Sequence, residues 1–159
     1  MNVDLSNIEG KIVKPFGGFQ EAFTTAQADV VWGVGQLGSG KSYGLVLSMA
    51  EPLMTDADFR GLISRKAIQS LKAGGGFVEK FKQIFGEFCS VKESDNPRIS
   101  FPNGSFCDLT YIDDSDMVRL RERAKGWEYD VIGVDERTEV SFECFTYIMP
   151  RNRGHSKTF

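Results

Sequence analysis

Residues 33–42 read GVGQLGSGKS, and the reading of this stretch governs that of the rest of the chain. Gly35, Gly40, Lys41 and Ser42 fit the spacing G-x-x-x-x-G-K-[ST], with Gln36, Leu37, Gly38 and Ser39 at the variable positions. Glycines let the backbone curl without a side chain in the way, so successive N–H groups converge on phosphate oxygens. In such a loop Lys41 brings a compact positive charge to the β/γ-phosphates and the Ser42 hydroxyl ligates Mg²⁺. A helix starting at the loop adds the positive end of its dipole. The flanks supply the context. Val30, Val31 and Trp32 predict a buried strand; residues 41–54 predict a helix with Leu45, Met49 and Leu53 on one face and Pro52 marking an end or kink. Strand, loop and helix together make a phosphate loop.

A second motif lies in residues 129–136, YDVIGVDE. Val131, Ile132 and Val134 predict a buried strand ending in Asp135 and Glu136. An aspartate at such a strand end holds Mg²⁺, often through water, and a glutamate after it orients and polarises the water attacking a γ-phosphate. Consecutive residues leaving a strand point in different directions, so the two carboxylates can serve separate tasks. Small-molecule kinases avoid losing ATP to water. A hydrolytic glutamate beside the metal aspartate therefore argues for an enzyme that uses ATP hydrolysis as an energy source.

The 159 residues predict one domain, and 41% hydrophobic with 26% charged residues exclude a disordered chain. No apolar run approaches the roughly 20 residues of a membrane span, and the first residues are no signal peptide. Cys89, Cys107 and Cys144 are odd in number and lack metal-ligand spacing, so they read as reduced thiols of a cytosolic protein. His155 stands alone. The net charge of −3 means that any nucleic-acid contact is local or made by parts outside this sequence. The dense basic stretches, 118–126 and 150–157, read first as solvated helix face or loop. Residues 60–65 predict a strand. Residues 67–88 are helical on both sides of Gly74, Gly75 and Gly76, with Phe77, Phe81, Ile84, Phe85 and Phe88 forming a core stripe. Residues 98–112 predict a hairpin turning at Asn103-Gly104, followed by a polar loop, DDSD, at 113–116.

In order and spacing these pieces resemble the N-terminal ATPase region of the large terminase subunit of tailed bacteriophages, the motor that packages DNA into the prohead. The segments carrying the resemblance are FQEAF at 19–23, GQLGSGKS at 35–42, LISRK at 62–66, ISFPNGSFCDLTYIDD at 99–114 and RLRERAKGWEYDVIGVDE at 119–136. Two positions depart from the family pattern: the loop has no arginine, and Lys125-Gly126 stands where many members have Arg-Gly.

The fold expected is α/β, a three-layered P-loop NTPase of the RecA-like (ASCE) type with a mostly parallel sheet and a strand inserted between the loop strand and the acidic strand. The resemblance implies ATP and Mg²⁺ as cofactors, Gln20 reading adenine, Ser42 and Asp135 holding the metal, and Glu136 activating water. Arg123, Lys125 or Arg121 would meet the γ-phosphate of a neighbouring subunit. It implies a homo-oligomeric ring on the portal protein, with double-stranded DNA and the small terminase subunit as partners in the host cytoplasm. Further strands and a nuclease domain would follow, so residues 1–159 are expected to be the N-terminal part of an ATPase domain with no nuclease residues. Two other readings stand beside this one: another nucleic-acid motor such as a helicase, and a non-motor nucleotide binder such as a small kinase or regulatory switch.

Overall fold

The computed structural model describes residues 14–154 except 37, 68, 73 and 95; Leu37 and His155 therefore lie outside the described residues. Its centre is a five-stranded sheet of β1 (Arg60–Arg65), β2 (Ser90–Lys92), β3 (Arg98–Ser100), β4 (Phe106–Tyr111) and β5 (Val131–Val134), in the order β2-β3-β4-β1-β5. β1 pairs parallel with β4 and β5, and only β3 runs against the others. The sheet is thus mostly parallel, as expected, and β2 is a strand that the sequence pattern did not indicate. The 98–112 hairpin forms with Gly104 at φ 105°, a left-handed position that excludes most side chains. Asn103 accepts from the Ser105 amide and donates to Leu53 O, tying the turn to the helical layer.

Side-chain alternation builds a core on each face. On one face Ile63, Ile99, Cys107 and Leu109 meet α2 (Lys41–Ser48), α3 (Ala50–Thr55) and α5 (Phe77–Phe85). The helix predicted over 41–54 is two short helices, because the chain leaves helical hydrogen bonding at Met49 (ψ −3°) ahead of Pro52. Met49 and Leu53 are fully buried while Leu45 is half-buried. In α5 the stripe Phe77, Phe81, Ile84 and Phe85 is buried, each side chain contributing about 1.5–3 kcal/mol. Phe88 falls in a 3-10 turn past Gly86 and is 37% exposed, so the stripe ends one residue earlier than expected. The triple glycine joins α4 (Gln69–Lys72) to α5.

On the other face Ile132 and Val134 meet α6 (Met117–Arg123) and α7 (Phe142–Ile148) through Leu120, Cys144 and Ile148, giving three layers. The 113–116 loop is more than a polar connector. Asp116 caps α6 by accepting from the Arg119 amide, and Asp114 accepts from the Ser141 amide at the cap of α7.

The strand expected at 30–32 is not formed. Val30, Val31 and Trp32 lie outside any strand and are 41%, 38% and 56% exposed. An isolated extended segment needs a neighbour to satisfy its backbone and cover its side chains, and among the described residues β5 pairs only with β1. The same open edge leaves Val131, Ile132 and Val134 half-buried instead of buried. Past α7 the chain returns to that edge, where Tyr129 N donates to Arg151 O and Tyr129 forms a parallel bridge with Asn152. Segment 30–34 is held by side chains: Trp32 packs on Phe145 at 5.2 Å, and the Arg137 guanidinium lies over both rings. Phe19 and Phe23 of α1 (Phe19–Thr24) stack on each other and close over Gly33.

The approach of α2 to β5 depends on Gly133. A Cβ there would sit 2.8 Å from Leu45 Cδ1 and 2.9 Å from Cδ2. Gly133→Val is expected to destabilise the fold by about 1–3 kcal/mol through overpacking, read as a lower urea midpoint. Adding Leu45→Ala should restore part of the loss in a double-mutant cycle; strict additivity would mean that this contact does not set the helix position.

Candidate nucleotide-binding site

The glycine-rich loop enters α2 through Gly40, which is left-handed at φ 76° and ψ 19° and gives no side-chain cap. The amides at the start of α2 are thus left without a capping side chain, the arrangement that suits an anion. Lys41 folds into the curl: its Nζ donates to Gly35 O at 2.8 Å, Gln36 O at 2.7 Å and Ser39 Oγ at 3.2 Å. An ammonium held by the loop's own oxygens neutralises their partial charges and stands ready for stronger acceptors. Gly38, at φ 81°, completes the turn.

Ser42, in the first turn of α2, meets the end of β5. Its Oγ donates to Asp135 Oδ2 at 2.9 Å across 93 residues of sequence. Asp135 is 9% exposed and its amide donates to Ser64 O, continuing the ladder to β1. Arg65, the last residue of β1, places one Nη2 at 2.9 Å from Asp135 Oδ2 and 3.0 Å from Glu136 Oε1. The two carboxylates share this one nitrogen and differ in exposure. The Asp135 side chain is nearly buried, whereas that of Glu136 is 44% exposed. Glu136 is the one non-glycine residue with positive φ (53°) among the described residues, and such strain concentrates at functional positions. Phe77, at the start of α5, has Arg65 and Lys80 over its ring, each at 5.7 Å. Burial, followed by the Arg65 charge, lowers the Lys80 pKa from its ordinary value.

The donor set fits the metal of a nucleotide. Mg²⁺ keeps most of its waters and takes one or two protein oxygens, which the adjoining Ser42 hydroxyl and Asp135 carboxylate offer. Among the described residues no group of three His, Cys, Asp or Glu side chains could form a closed metal site.

Gln20 reaches this site in a different way from that expected. It is 3% exposed; its Nε2 donates to Gly40 O at 3.0 Å and its Oε1 accepts from Phe16 N at 3.0 Å. Both ends of the amide are engaged by backbone, and a Cβ on Gly40 would fall 2.3 Å from Nε2. In this structure Gln20 buttresses the glycine-rich loop at Gly40. The basic stretch forms α6. Arg123 stacks on Tyr111 at 4.1 Å and donates to Tyr111 O, while Arg121 pairs with Glu143 at 2.9 Å. Lys125 is exposed, and among the described residues its side chain makes no hydrogen bond or ion pair. The three cysteines are free thiols.

Two positions, Gly133 and Arg137, carried a sequence signal that was not used, and Arg65 entered only as part of the LISRK segment. Arg65 ends an apolar strand and is the natural counter-charge for an Asp-Glu pair at a neighbouring strand end. Gly133, inside an apolar run, marks a close approach. Arg137 directly follows the acidic pair. Comparison of the chain with protein-family models, with curated proteins and with solved structures found no match in any of the three.

Gln20→Ala is expected to weaken ATP and GTP binding to the same extent, because the lost contact supports the loop while Gly40 O keeps its bond from the Gly44 amide, a change of about 0.5–1.5 kcal/mol. Paired calorimetric titrations check this. Loss of ATP affinity alone would assign Gln20 to adenine recognition instead.

Proposed function

We propose that the chain is an ATP-hydrolysing module of the phosphate-loop class, and that it drives double-stranded DNA translocation in the manner of the phage terminases its motifs resemble. The observation that carries the ATPase reading is the Ser42–Asp135 hydrogen bond. Two motifs 93 residues apart, each pointing to Mg-ATP, meet at bonding distance in a fold whose topology neither motif dictates. The order and spacing of the five terminase-like segments support the motor reading.

In this mechanism the loop amides and Lys41 hold the β- and γ-phosphates. Ser42 and Asp135 would hold Mg²⁺, which when bound offsets the charge on the phosphates. Glu136, on its strained backbone at the exposed end of β5, orients the attacking water and accepts its proton. Arg65 fixes the directions of both carboxylates. Lys125 is the residue best placed to act on a neighbouring subunit, since Arg123 and Arg121 are engaged within their own chain.

Lys41→Ala should reduce ATP affinity about tenfold or more by removing a charge-assisted contact; unchanged affinity in a folded variant would refute the phosphate assignment. Glu136→Gln should bind Mg-ATP and lose hydrolysis, whereas Asp135→Asn should lose the Mg²⁺ dependence of binding. Identical binding defects in the two would mean that the roles are misassigned. DNA-stimulated turnover distinguishes a motor from a static nucleotide binder.

The finger is tested by mixing. Glu136→Gln protein combined with Lys125→Ala protein should recover part of the ATPase activity, because some interfaces then pair an intact glutamate with an intact lysine. A trans-acting cation is worth about 10³–10⁵ in rate, so recovery of even one interface in four is measurable. Recovery with Arg123→Ala in place of Lys125→Ala would move the role to Arg123.

A further inference from the structure

Two cavities lie away from the glycine-rich loop, on the sheet face bearing α6 and α7. Those helices cover the β5 side of this face and leave the β3–β4 side open. A cleft of about 330 Å³ runs there, from Lys92 at the end of β2 past Arg98 and Asp108 to Arg123, Trp127 and Tyr129. A second hollow of about 170 Å³ continues it past Arg60, sharing Arg98, Asp108, Trp127 and Tyr129. Alternation explains the polar floor, because Arg98, Asp108 and Thr110 fall on the face opposite Ile99, Cys107 and Leu109.

The cleft is organised. Arg98 forms a two-pronged pair with Asp108, Nε to Oδ1 at 2.6 Å and Nη2 to Oδ2 at 2.8 Å. Its guanidinium lies 3.9 Å from the Phe106 ring centroid. Tyr129 OH donates to Asp108 Oδ2 at 2.9 Å, so both carboxylate oxygens are engaged and the fork is locked in place. Burial, reinforced by the Asp108 charge, pushes the Tyr129 phenol well above its ordinary pKa, and it remains a donor. The pair uses two of five guanidinium N–H groups, and the Arg98 side chain remains 47% exposed. Trp127 stands edge-on to Tyr129 as an aromatic wall.

The charge balance here differs from that of the chain. Arg60, Lys92, Arg98 and Arg123 face Asp108 and Glu128 among the described lining residues, whereas the whole protein carries −3. Asp108 is already satisfied by Arg98 and Tyr129. A guanidinium held in place by Asp108 with its other N–H groups unused by that pair, an exposed lysine along the same groove and an aromatic wall form a set that takes phosphodiesters, the cations meeting phosphate oxygens and the rings meeting sugar or base. We propose that this cleft binds the phosphodiester backbone of a nucleic-acid strand, with Lys92 and Arg98 as its phosphate contacts. The site is separate from the phosphate loop, and its existence does not rest on ATP hydrolysis.

The test uses the full chain and fluorescein-labelled 20-mers, single-stranded and duplex, in anisotropy titrations from 50 to 300 mM salt. The intact chain should bind with an affinity that falls linearly on a log–log salt plot. Lys92→Glu should lower affinity about tenfold and flatten the slope by about one unit, as expected for a lost phosphate contact. Arg98→Gln should act in the same direction. If that variant unfolds, Lys92→Glu decides alone, since Lys92 is an exposed strand residue with no core contact. Lys41→Ala should keep nucleic-acid binding, and Lys92→Glu should keep ATP binding, so failure of this site and failure of the ATPase reading give different results. Tighter binding of the single strand assigns the groove to one backbone; tighter binding of the duplex assigns it to a strand within a helix. An intact chain that binds neither probe, or a Lys92→Glu chain with unchanged affinity and slope, overturns the proposal.

Discussion

The arrangement turns on a carboxylate that is almost out of water. Asp135 is 9% exposed, and an ionised group in that position needs partners or it unfolds its surroundings. It has two side-chain partners, the Ser42 hydroxyl from α2 and the Arg65 guanidinium from β1. Both must arrive together. Ser42 can do so only if α2 lies close over β5, which Gly133 permits by offering no side chain beneath Leu45. Arg65 can do so only if β1 and β5 are neighbours in parallel register, with Ser64 opposite Val134. A single polar contact thus presupposes the helix position, the strand order and the register. This is why the glycine-rich loop sits at the sheet edge although, among the described residues, the segment before it pairs with no strand.

Local signals explain what the sequence made readable. β1 and β4 are apolar or alternating runs, the Asn103-Gly104 turn has one economical geometry, and the α5 stripe repeats with helical spacing; all appear in the structure. The phosphate loop and the acidic pair were read separately, and the structure brings them together at Ser42 and Asp135. The failures share a different cause. Val30, Val31 and Trp32 have strand composition, but pairing is a property of neighbours, and composition does not supply a neighbour. β2 has three residues and was too short to show alternation. Gln20, which the resemblance assigns to adenine, is buried with its amide between Phe16 N and Gly40 O. No local pattern records that choice, because it depends on α1 packing against Gly40 and Gly44 from twenty residues away.

The sheet also divides the work between its faces. The face toward α2, α3 and α5 is sealed by large apolar side chains, and the C-terminal ends of β1 and β5 present Arg65, Asp135 and Glu136 at its rim. The opposite face is sealed only over β5, leaving Arg98 and Asp108 at the floor of a cleft. β1 adjoins both regions. Leu62 lines the cleft and Arg65, three residues on, holds the acidic pair. Three residues of β1 therefore separate the cleft lining from the acidic pair.

The division between arginine and lysine bears on which cation can leave home. Arg65, Arg98, Arg121, Arg123, Arg137 and Arg151 each lie over an aromatic ring within 3.9 to 5.7 Å. Each also donates to, or is ion-paired with, an oxygen of the same chain. Planar guanidinium suits this double use, stacking on one face and forking at the edge. An arginine held in that way must break both contacts before it can reach another subunit. Lysine has no planar face to stack and a flexible stem, so it is fixed only where several oxygens converge on it, as they do on Lys41. The phosphate loop carries Lys41 and no arginine, and the exposed residue beside Gly126 is Lys125. In the basic stretch of α6 both Arg121 and Arg123 are held in this way, which leaves the exposed Lys125 as the freer charge there.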